Sequence, residues 1–406
     1  MLGSSATALV LALLAVASPA AGLTIPLFKR DFLRNTDGSV NITALHDEAT
    51  QLVKCNRKNW RYNAYGEDPT SRDARKRATM TLTQQSTAIW TGKVTIGTPA
   101  QSFNIYFDTG SSDFTVATTS CGTSCGTKDR YNVDASTSVV KTSKTITTNF
   151  VDGTSSSGQL VEDTVGIAGL TATGQDIIAA SSLSSTVSSI PSDGMGLAYP
   201  ALSQAFSASV PFTLNAQNQG GRPQWFAMRL NNNGASQITF GGYNRARVSG
   251  NPRWFNVKLP DSSTFRTYWQ IGGSAPYVNG QIAGSRVDHI LDSGTTLIVA
   301  PPTAAAAFWA NVPGSAVYDD NFYSYPCDSP PSVSFSFSRI TLKMYGVSEA
   351  SFNLGWLSED PSRCIGSVVS QNLGLGTAWL VGDAFLTNWY VIHDVANNRI
   401  GLGDPR

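Results

Sequence analysis

Short runs of β-branched and aromatic residues, broken by Gly, Asn, Ser and Pro, follow one another from Ala78 to the end of the chain. Residues 89–96 and 225–230 are typical of these runs, whose length and composition indicate β-strands. Helical periodicity is scarce, and residues 302–312, which contain a run of alanines, are the best candidate for a helix. The pattern therefore predicts an all-β protein.

One strand pattern occurs twice, once in each half of the chain. Apolar residues lead into an aspartate, which is followed by Thr or Ser, Gly, and two hydroxyl residues; the two aspartates are Asp108 and Asp292. The glycine, Gly110 or Gly294, lets the backbone turn sharply without a Cβ clash. Each carboxylate is expected to point into a cleft above its strand. The repeat therefore predicts two lobes that contribute one carboxylate each.

Around these motifs the chain resembles the pepsin-like aspartic proteases, and most closely the secreted fungal members of the rhizopuspepsin type. The resemblance extends over roughly residues 90–404, since further landmarks of that family occur in the expected order. These landmarks are Val94-Thr-Ile-Gly-Thr-Pro99, Asp193-Gly-Met-Gly-Leu-Ala-Tyr199, Phe240-Gly-Gly242, Tyr268-Trp-Gln270, Trp379-Leu-Val-Gly-Asp383 and Asn397-Asn-Arg-Ile-Gly401. The resemblance implies a bilobal pepsin-like fold, with an N-terminal β lobe of residues 78–245 and a C-terminal β lobe of residues 246–406 on either side of the active-site cleft.

The resemblance also assigns roles to the residues of the two motifs. Asp108 and Asp292 are expected to share one proton, because two adjacent carboxylates cannot both ionise cheaply. The ionised member would take a proton from a water molecule while the protonated member donates to the peptide carbonyl. The protein is therefore predicted to be an aspartic endopeptidase that needs no cofactor. Neighbouring residues are expected to cross-link the loops or to hydrogen bond the carboxylates: Thr109, Gly110, Ser111, Ser293, Gly294 and Thr295.

Residues 150–158 are predicted to form a hairpin with Asp152-Gly153 at its turn. They match the flap that closes over substrate in this family and excludes water. Phe150, Asp152 and Gly153 are therefore predicted to contact substrate. Tyr268 is expected to line the opposite, C-terminal side of the cleft.

The flap departs from the family pattern at one contact. Phe150 stands where the family has a tyrosine, and Thr115 stands where it has the tryptophan that hydrogen bonds that tyrosine. Because both partners of that hydrogen bond are replaced together, no polar group is left without a partner. We expect a flap that closes less rigidly and an enzyme that is slower or differently selective. A second departure is the segment 193–196, which is one residue shorter than in the family and is expected to alter the pocket wall behind the flap.

The start of the chain is predicted to direct export. An apolar run at residues 6–17, followed by Ser-Pro-Ala-Ala, predicts a signal peptide of residues 1–21, although no Lys or Arg precedes Lys29. The run is too short to span a membrane as a stable helix, and no later stretch is apolar enough. We therefore expect an exported protein, secreted outside the cell or delivered to a vacuole.

Residues 22–77 are predicted to be a propeptide. The segment is polar and basic and ends in Arg75-Lys-Arg77, which resembles a dibasic processing site cleaved after Arg77. A lysine of this leader, Lys54 or Lys58, is expected to neutralise the two aspartates near neutral pH, and acid would release it. The leader would then act as an intramolecular inhibitor. It also carries a candidate glycosylation acceptor at Asn41. The alternative interpretation of the dibasic run is a solvated charge cluster.

Charge and composition narrow the range of partners. Charged residues make up 14% of the chain, against roughly 25% in average domains, and uncharged polar residues supply the surface polarity. Such a surface changes its charge little on acidification and suits an acidic environment. The net charge is +1, and the body that follows the basic leader has no basic patch, which argues against nucleic acid as a partner. Polypeptides are the expected substrates, and a monomer is expected because one chain supplies both aspartates.

The five cysteines fall into two pairs and one single residue. Cys121 and Cys125 form a close pair, and Cys327 and Cys364 form a wide one. Four cysteines permit three pairings, but the short loop favours Cys121–Cys125. Cys55 is left over in the leader. A metal site is a poor alternative, because the chain has three histidines and none is spaced with a cysteine as a ligand set.

Three other functions compete with an endopeptidase. A catalytically weak or inactive pepsin-like protein would use the cleft as a binding groove, and the altered flap is the feature that favours it. A transacylating or sugar-cleaving enzyme could use the same two carboxylates; glycosidases also pair two acids, but the duplicated motif does not resemble theirs. Residues 122–126 match the Gly-x-Ser-x-Gly elbow of serine hydrolases, yet they lie between two close cysteines rather than between a strand and a helix. His289 and His393 are expected to be structural.

Overall fold

The structure is a computed structural model that describes residues 34–35, 37–43, 78–85, 89–149, 155–184, 192–205, 209–216, 218–219, 225–232, 235–260, 263–338 and 343–406. Several sequence-based predictions lie outside these residues and stay predictions. They are the signal peptide of residues 1–21, the processing site at Arg77, the leader residues Lys54, Cys55 and Lys58, and the flap residues Phe150, Asp152 and Gly153.

Strands dominate the described part of the chain, which confirms the all-β prediction. The first eleven are β1 (Ala78–Gln85), β2 (Ile89–Ile96), β3 (Gln101–Asp108), β4 (Phe114–Ala117), β5 (Val140–Asn149), β6 (Ser155–Ile167), β7 (Leu170–Leu183), β8 (Asp193–Gly196), β9 (Trp225–Arg229), β10 (Ser236–Phe240) and β11 (Val248–Asn256). They are followed by β12 (Gln270–Val278), β13 (Gln281–Ile282), β14 (Val287–Leu291), β15 (Ile298–Ala300), β16 (Ala316–Val317), β17 (Tyr323–Pro326), β18 (Val333–Ser336), β19 (Tyr345–Val347), β20 (Asn353–Trp356), β21 (Arg363–Gly366), β22 (Val368–Ser370), β23 (Trp379–Val381), β24 (Tyr390–Asp394) and β25 (Arg399–Pro405).

The helices of the described residues are short. The α-helices are α1 (Phe212–Ala216), α2 (Pro302–Trp309), α3 (Glu349–Phe352) and α4 (Asp383–Leu386), and 3₁₀ turns occur at Thr119–Cys125, Val133–Ala135, Pro200–Leu202 and Arg245–Arg247. α2 is the helix predicted from the alanine run. It begins with a proline, whose fixed φ and missing N–H suit the first helical turn. In the described residues no helix is long and apolar enough to cross a membrane.

The strands form three sheets among the described residues. The largest has 13 strands in the order β11-β25-β24-β9-β10-β1-β2-β3-β8-β4-β7-β6-β5, so the end of the chain pairs with strands of the N-terminal half. An 8-stranded sheet runs β19-β18-β12-β14-β23-β15-β22, with β13 beside β12, and a 4-stranded sheet runs β16-β17-β21-β20. β20 is therefore an edge strand. The apolar faces of these sheets carry the buried side chains of the core.

Two further features bear on the site. β5 and β6 pair antiparallel up to Asn149 and Ser155, so they form the two arms of the predicted flap hairpin.

Two disulfides are present among the described residues. Cys121 is bonded to Cys125 within a 3₁₀ turn, and Cys327 is bonded to Cys364 on β21. The structure thus has the close disulfide and the wide one.

Candidate active site

β3 presents Asp108 at its last position, and the parallel strand β8 fixes the loop that follows. β8 pairs with β3 in unbroken register, so the shortened segment 193–196 forms a regular strand that places Gly196 opposite Asp108. Leu197 N donates to Asp108 O at 2.7 Å, and Ala198 N donates to Ser111 O at 2.8 Å. The backbone after Asp108 is therefore held by the strand behind it.

The second half of the chain repeats this arrangement. β14 ends at Leu291, which lies opposite Val381 of the parallel strand β23, so Asp292 follows at the end of the strand. Asp292 N donates to Val381 O at 3.1 Å, and Gly382 N donates to Leu297 O at 3.0 Å. The repeated motif of the sequence corresponds to a repeated unit of strand, loop and parallel strand.

A glycine in each unit lets the loop and the strand behind it approach closely. A Cβ built on Gly196 would lie 2.4 Å from the backbone nitrogen of Ser112, and one built on Gly382 would lie 2.0 Å from the backbone oxygen of Thr295. Both glycines belong to the family landmarks in the sequence, but this role was not predicted. The signal was present, because a glycine within or next to an apolar strand often marks the close approach of another backbone.

The two loops are cross-linked by their first hydroxyl residues. Thr109 Oγ1 donates to Leu291 O at 3.0 Å and accepts from Ser293 N at 2.9 Å. Ser293 Oγ donates to Phe107 O at 2.8 Å and accepts from Thr109 N at 3.1 Å. Both hydroxyls are buried, so these bonds join the two halves of the chain through groups that water does not reach.

Each aspartate accepts two hydrogen bonds from its own loop, one from the backbone N–H of the glycine and one from a hydroxyl side chain. Gly110 N donates to Asp108 Oδ1 at 2.7 Å, and Ser111 Oγ donates to Asp108 Oδ2 at 2.5 Å. In the second loop, Asp292 Oδ1 accepts from Gly294 N at 2.8 Å and Asp292 Oδ2 accepts from Thr295 Oγ1 at 2.7 Å, the counterparts of the bonds in the first loop.

The two carboxylates lie side by side. A Cβ built on Gly110 would be 2.5 Å from the carboxyl carbon of Asp292, and one built on Gly294 would be 2.4 Å from Oδ1 of Asp108. Both turns therefore need glycine because a side chain there would push into the opposite carboxylate.

Burial raises the pKa of Asp292 well above its ordinary value, and the charge of Asp108 raises it further. The hydrogen bonds from Thr295 and Gly294 favour the ionised form but are outweighed. The pair consequently keeps one proton over a range of pH in which an isolated aspartate would lose it. Such a pair can take a proton from a water molecule and donate the shared proton to a carbonyl oxygen.

Tyr268 was predicted to line the C-terminal side of the cleft, and the structure describes its side chain. It is 3% exposed and belongs to a buried apolar cluster that includes Ile290 and Leu297, on either side of Asp292 in the chain. The next residue, Trp269, donates from Nε1 to Leu197 O at 3.0 Å and so ties this region to the loop behind Asp108. That contact was not predicted from the sequence.

Thr115 lies half-buried on β4, between β8 and β7. Ser124 of the serine-hydrolase elbow donates to the backbone oxygen of Cys121 within the disulfide turn, at 2.8 Å. His289 and His393 are buried among aromatic rings, and burial lowers the pKa of each to about 3. Among the hydrogen bonds that the structure describes, none joins these four residues to Asp108 or Asp292.

A buried ion pair behind Asp108 also went unnoticed in the sequence. Lys128 Nζ lies 3.6 Å from Asp193 Oδ1 and donates to Ser192 O at 2.7 Å, while Asp193 Oδ2 accepts from Ala117 N at 2.9 Å. Burial lowers the pKa of Lys128 and raises that of Asp193, and their attraction opposes both shifts. The pair fixes the first residue of β8. Lys128 lies in a polar stretch without periodicity, so no local signal indicated its burial.

Comparisons with a family profile and with individual known proteins indicate the same family. The sequence profile of eukaryotic aspartyl proteases matches residues 89–404. The chain is similar to an aspartic protease of Phaffia rhodozyma, with 37% identity over 340 residues that cover 80% of this chain and 80% of the relative. It is also similar to major aspartyl peptidase 1 of Cryptococcus neoformans, with 31% identity over 361 residues that cover 81% of this chain and 72% of the relative. Rhizopuspepsin of Rhizopus chinensis is 31% identical over 310 residues, which cover 74% of each chain.

Proposed function

This chain belongs to the eukaryotic aspartyl protease family and is an aspartic endopeptidase, and from that premise we propose that it is made as a zymogen, exported, and active in acid. Its substrates are polypeptides, which it binds in the cleft between an N-terminal lobe of residues 78–245 and a C-terminal lobe of residues 246–406. The protein works as a monomer outside the cell or in a vacuole.

The catalytic pair is Asp108 and Asp292. The observation that carries this assignment is the repetition of one hydrogen-bond pattern around both carboxylates, with the two loops joined through Thr109 and Ser293. One carboxylate takes a proton from the attacking water while the other donates its proton to the substrate carbonyl. Gly110, Ser111, Gly294 and Thr295 hold the carboxylates in place. Phe150, Asp152 and Gly153 close over the substrate from the flap.

Removal of residues 1–21 on export and cleavage after Arg77 convert the zymogen into the enzyme. The position of β1 supports this boundary, because Ala78 lies opposite Phe240 as the first residue of a strand paired in the largest sheet. Cleavage there leaves that strand intact. Lys54 or Lys58 neutralises the two aspartates until acid weakens the attraction.

The zymogen and its pH dependence can be tested on the secreted full-length chain. The body polypeptide, separated from the leader on a denaturing gel, should begin at Ala78. Cleavage of denatured haemoglobin between about pH 2.5 and pH 7 should be confined to the acidic side and blocked by pepstatin. An Arg77→Ala variant should keep the leader. Activity that is equal at neutral and acidic pH, or an active protein in which residues 22–77 are still covalently joined to the body, would contradict the proposal.

Asp176 on β7 gives a prediction about pH and stability. Burial raises its pKa to about 6, and the charge of Glu162 on the neighbouring strand raises it as well. The unfolded chain ionises this group near pH 3.8, so the stabilisation from its proton is complete below pH 3.8 and is lost as the pH rises through 6. Asp176→Asn should therefore become progressively more stable than its parent between pH 4 and pH 7, by up to about 3 kcal/mol.

Urea unfolding of Asp176→Asn in an Asp108→Asn background, which removes self-digestion, measures this difference. The amide oxygen of the substituted side chain can still accept the hydrogen bond that Val210 N donates to the Asp176 carboxylate at 3.3 Å. Asp320→Asn, at an exposed position, is the matched control and should show no such trend. A difference between Asp176→Asn and its parent that stays constant with pH would show that this carboxyl group titrates normally.

A further inference from the structure

Part of the predicted leader has a defined shape in the structure. Residues 34–35 and 37–43, here called the leader hairpin, turn back on themselves, with Asn35 N donating to Ser39 O at 2.7 Å. Gly38 has a φ of 89°, a conformation that favours glycine. Asp37 Oδ1 accepts from Ser39 N at 2.9 Å and from Ser39 Oγ at 2.6 Å. The turn is therefore held by contacts within the hairpin itself.

The leader hairpin lies along β20, the edge strand of the 4-stranded sheet. Ser39 forms a parallel bridge with Trp356, and Val40 N donates to Trp356 O at 2.7 Å. Arg34 Nη2 donates to Asn353 O at 2.9 Å. The bridge adds a single backbone pairing to the edge of β20 on the side away from β21, in the manner by which exposed sheet edges bind extended peptides.

The seat of the hairpin is shaped to receive it. A Cβ built on Gly355 would lie 2.9 Å from Val40 N and 3.3 Å from Gly38 O, so glycine at that position of β20 lets the leader backbone approach. Ser39 is fully buried and Val40 is 3% exposed. A surface segment that merely lay against the lobe would not lose nearly all of its exposed area at two successive residues.

Val40 is the apolar anchor of this contact. It belongs to the buried cluster that holds Tyr268, Ile290 and Leu297, and Ile42 packs against the same cluster. Burying a valine side chain is strongly favourable, whereas an ionised carboxylate placed in the same apolar cluster would be costly to desolvate. The anchor thus reaches the apolar residues that support the loop of Asp292, without a polar contact to either aspartate that the structure describes.

We propose that the leader hairpin is a docking element that holds the leader on the C-terminal half by extending the sheet at β20, and that it stays bound after the chain is cut at Arg77. The inference rests on the proposed zymogen, and its partner is the leader of this same chain. The cut lies far along the chain from the hairpin, so cleavage breaks none of these contacts. The leader therefore leaves the enzyme by dissociation, with an affinity that Val40 sets.

The full-length Asp292→Asn chain, which cannot digest itself, provides the test. After complete cleavage by a protease specific for dibasic sites, gel filtration should show the leader fragment eluting with the body of the protein. In Val40→Asp the fragment should elute separately. Thr43→Asp, which changes an exposed residue of the same hairpin, is the matched control and should behave like the parent. All chains are produced without N-glycosylation, because Thr43 belongs to the candidate acceptor at Asn41. Separation in the parent, or co-elution in Val40→Asp, would overturn the proposal.

A peptide of residues 34–43 measures the contact without any change to the enzyme. Labelled with fluorescein, it should bind the cleaved and leader-free Asp292→Asn protein in an anisotropy titration. The Val40→Asp peptide should bind at least about tenfold more weakly, and the Thr43→Asp peptide within about twofold of the parent. Equal binding by all three peptides would refute the anchor. Because these measurements need no activity, a protein that binds the hairpin but cleaves nothing would contradict the proposed function alone, and an active protein that fails to bind would contradict this inference alone.

Discussion

Replacement of Asp292 by asparagine should abolish peptide hydrolysis and at the same time stabilise the folded protein at neutral pH. Activity should fall by at least about 10⁴-fold, because an amide can neither take the proton from the water nor return it to the substrate. The gain in stability has a separate origin. Asp292 is buried beside Asp108, and both the burial and that charge make its ionised form costly in the folded state.

The sign of the stability effect follows from the two states of the chain. The unfolded chain ionises Asp292 near pH 3.8, whereas the folded chain keeps it protonated to higher pH. Stabilisation by that proton is complete below pH 3.8 and is lost as the pH rises through the raised pKa. Asparagine has no proton to lose. The free energy of unfolding of the variant should therefore gain on the order of 1 to 3 kcal/mol on that of the parent as the pH rises to 7.

Steady-state cleavage of a peptide substrate at acidic pH and thermal unfolding between about pH 5 and pH 7.5 measure the two effects. Asp108→Asn should lose activity to the same extent, and the exposed Asp320→Asn should keep both activity and stability. Activity above about 1% of the parent in either dyad variant would contradict the proposed mechanism. Lost activity without the gain in stability would instead contradict the buried pair of like groups.

Local pattern was enough to predict the strands and the two aspartate loops. In a strand such as β3, six consecutive residues alternate between buried and more exposed positions, and apolar and polar residues alternate with them in the sequence. The repeat of Asp, hydroxyl and glycine around Asp108 and Asp292 is equally local, so its two copies could be found without knowing the fold. The repeat also singled out Gly110 and Gly294, but the structure requires glycine at these positions because each faces the opposite carboxylate.

Contacts between distant residues could not be predicted in this way. Lys128 pairs with Asp193, and Val40 is buried against β20. Each contact depends on a partner far along the chain, and neither Lys128 nor Val40 stands in a periodic pattern. Tyr268 shows the same limit. The resemblance indicated that it lines the cleft, but its burial in the cluster that also holds Val40 is a property of the packed lobe.

Gly382→Ala is the substitution outside the dyad with the largest expected effect. The φ of Gly382 is −93°, which any residue adopts, so the consequence depends on space alone. A methyl group there would lie 2.0 Å from Thr295 O and 2.5 Å from Leu297 O. Neither oxygen can move away cheaply, because Thr295 O accepts from Asp383 N at 2.7 Å and Leu297 O accepts from Gly382 N itself at 3.0 Å.

The loop of Asp292 and the strand behind it would therefore have to separate, with the loss of both hydrogen bonds. We expect Gly382→Ala to lower the free energy of unfolding by about 4 kcal/mol or more, or to prevent secretion of folded protein. Gly346→Ala is the matched control, since a Cβ at that position of β19 meets no atom within 4 Å, and its effect should stay within about 1 kcal/mol. Urea unfolding of both variants in the Asp108→Asn background decides the matter. If Gly382→Ala were as stable as Gly346→Ala, the close crossing of loop and strand would not be what fixes Asp292.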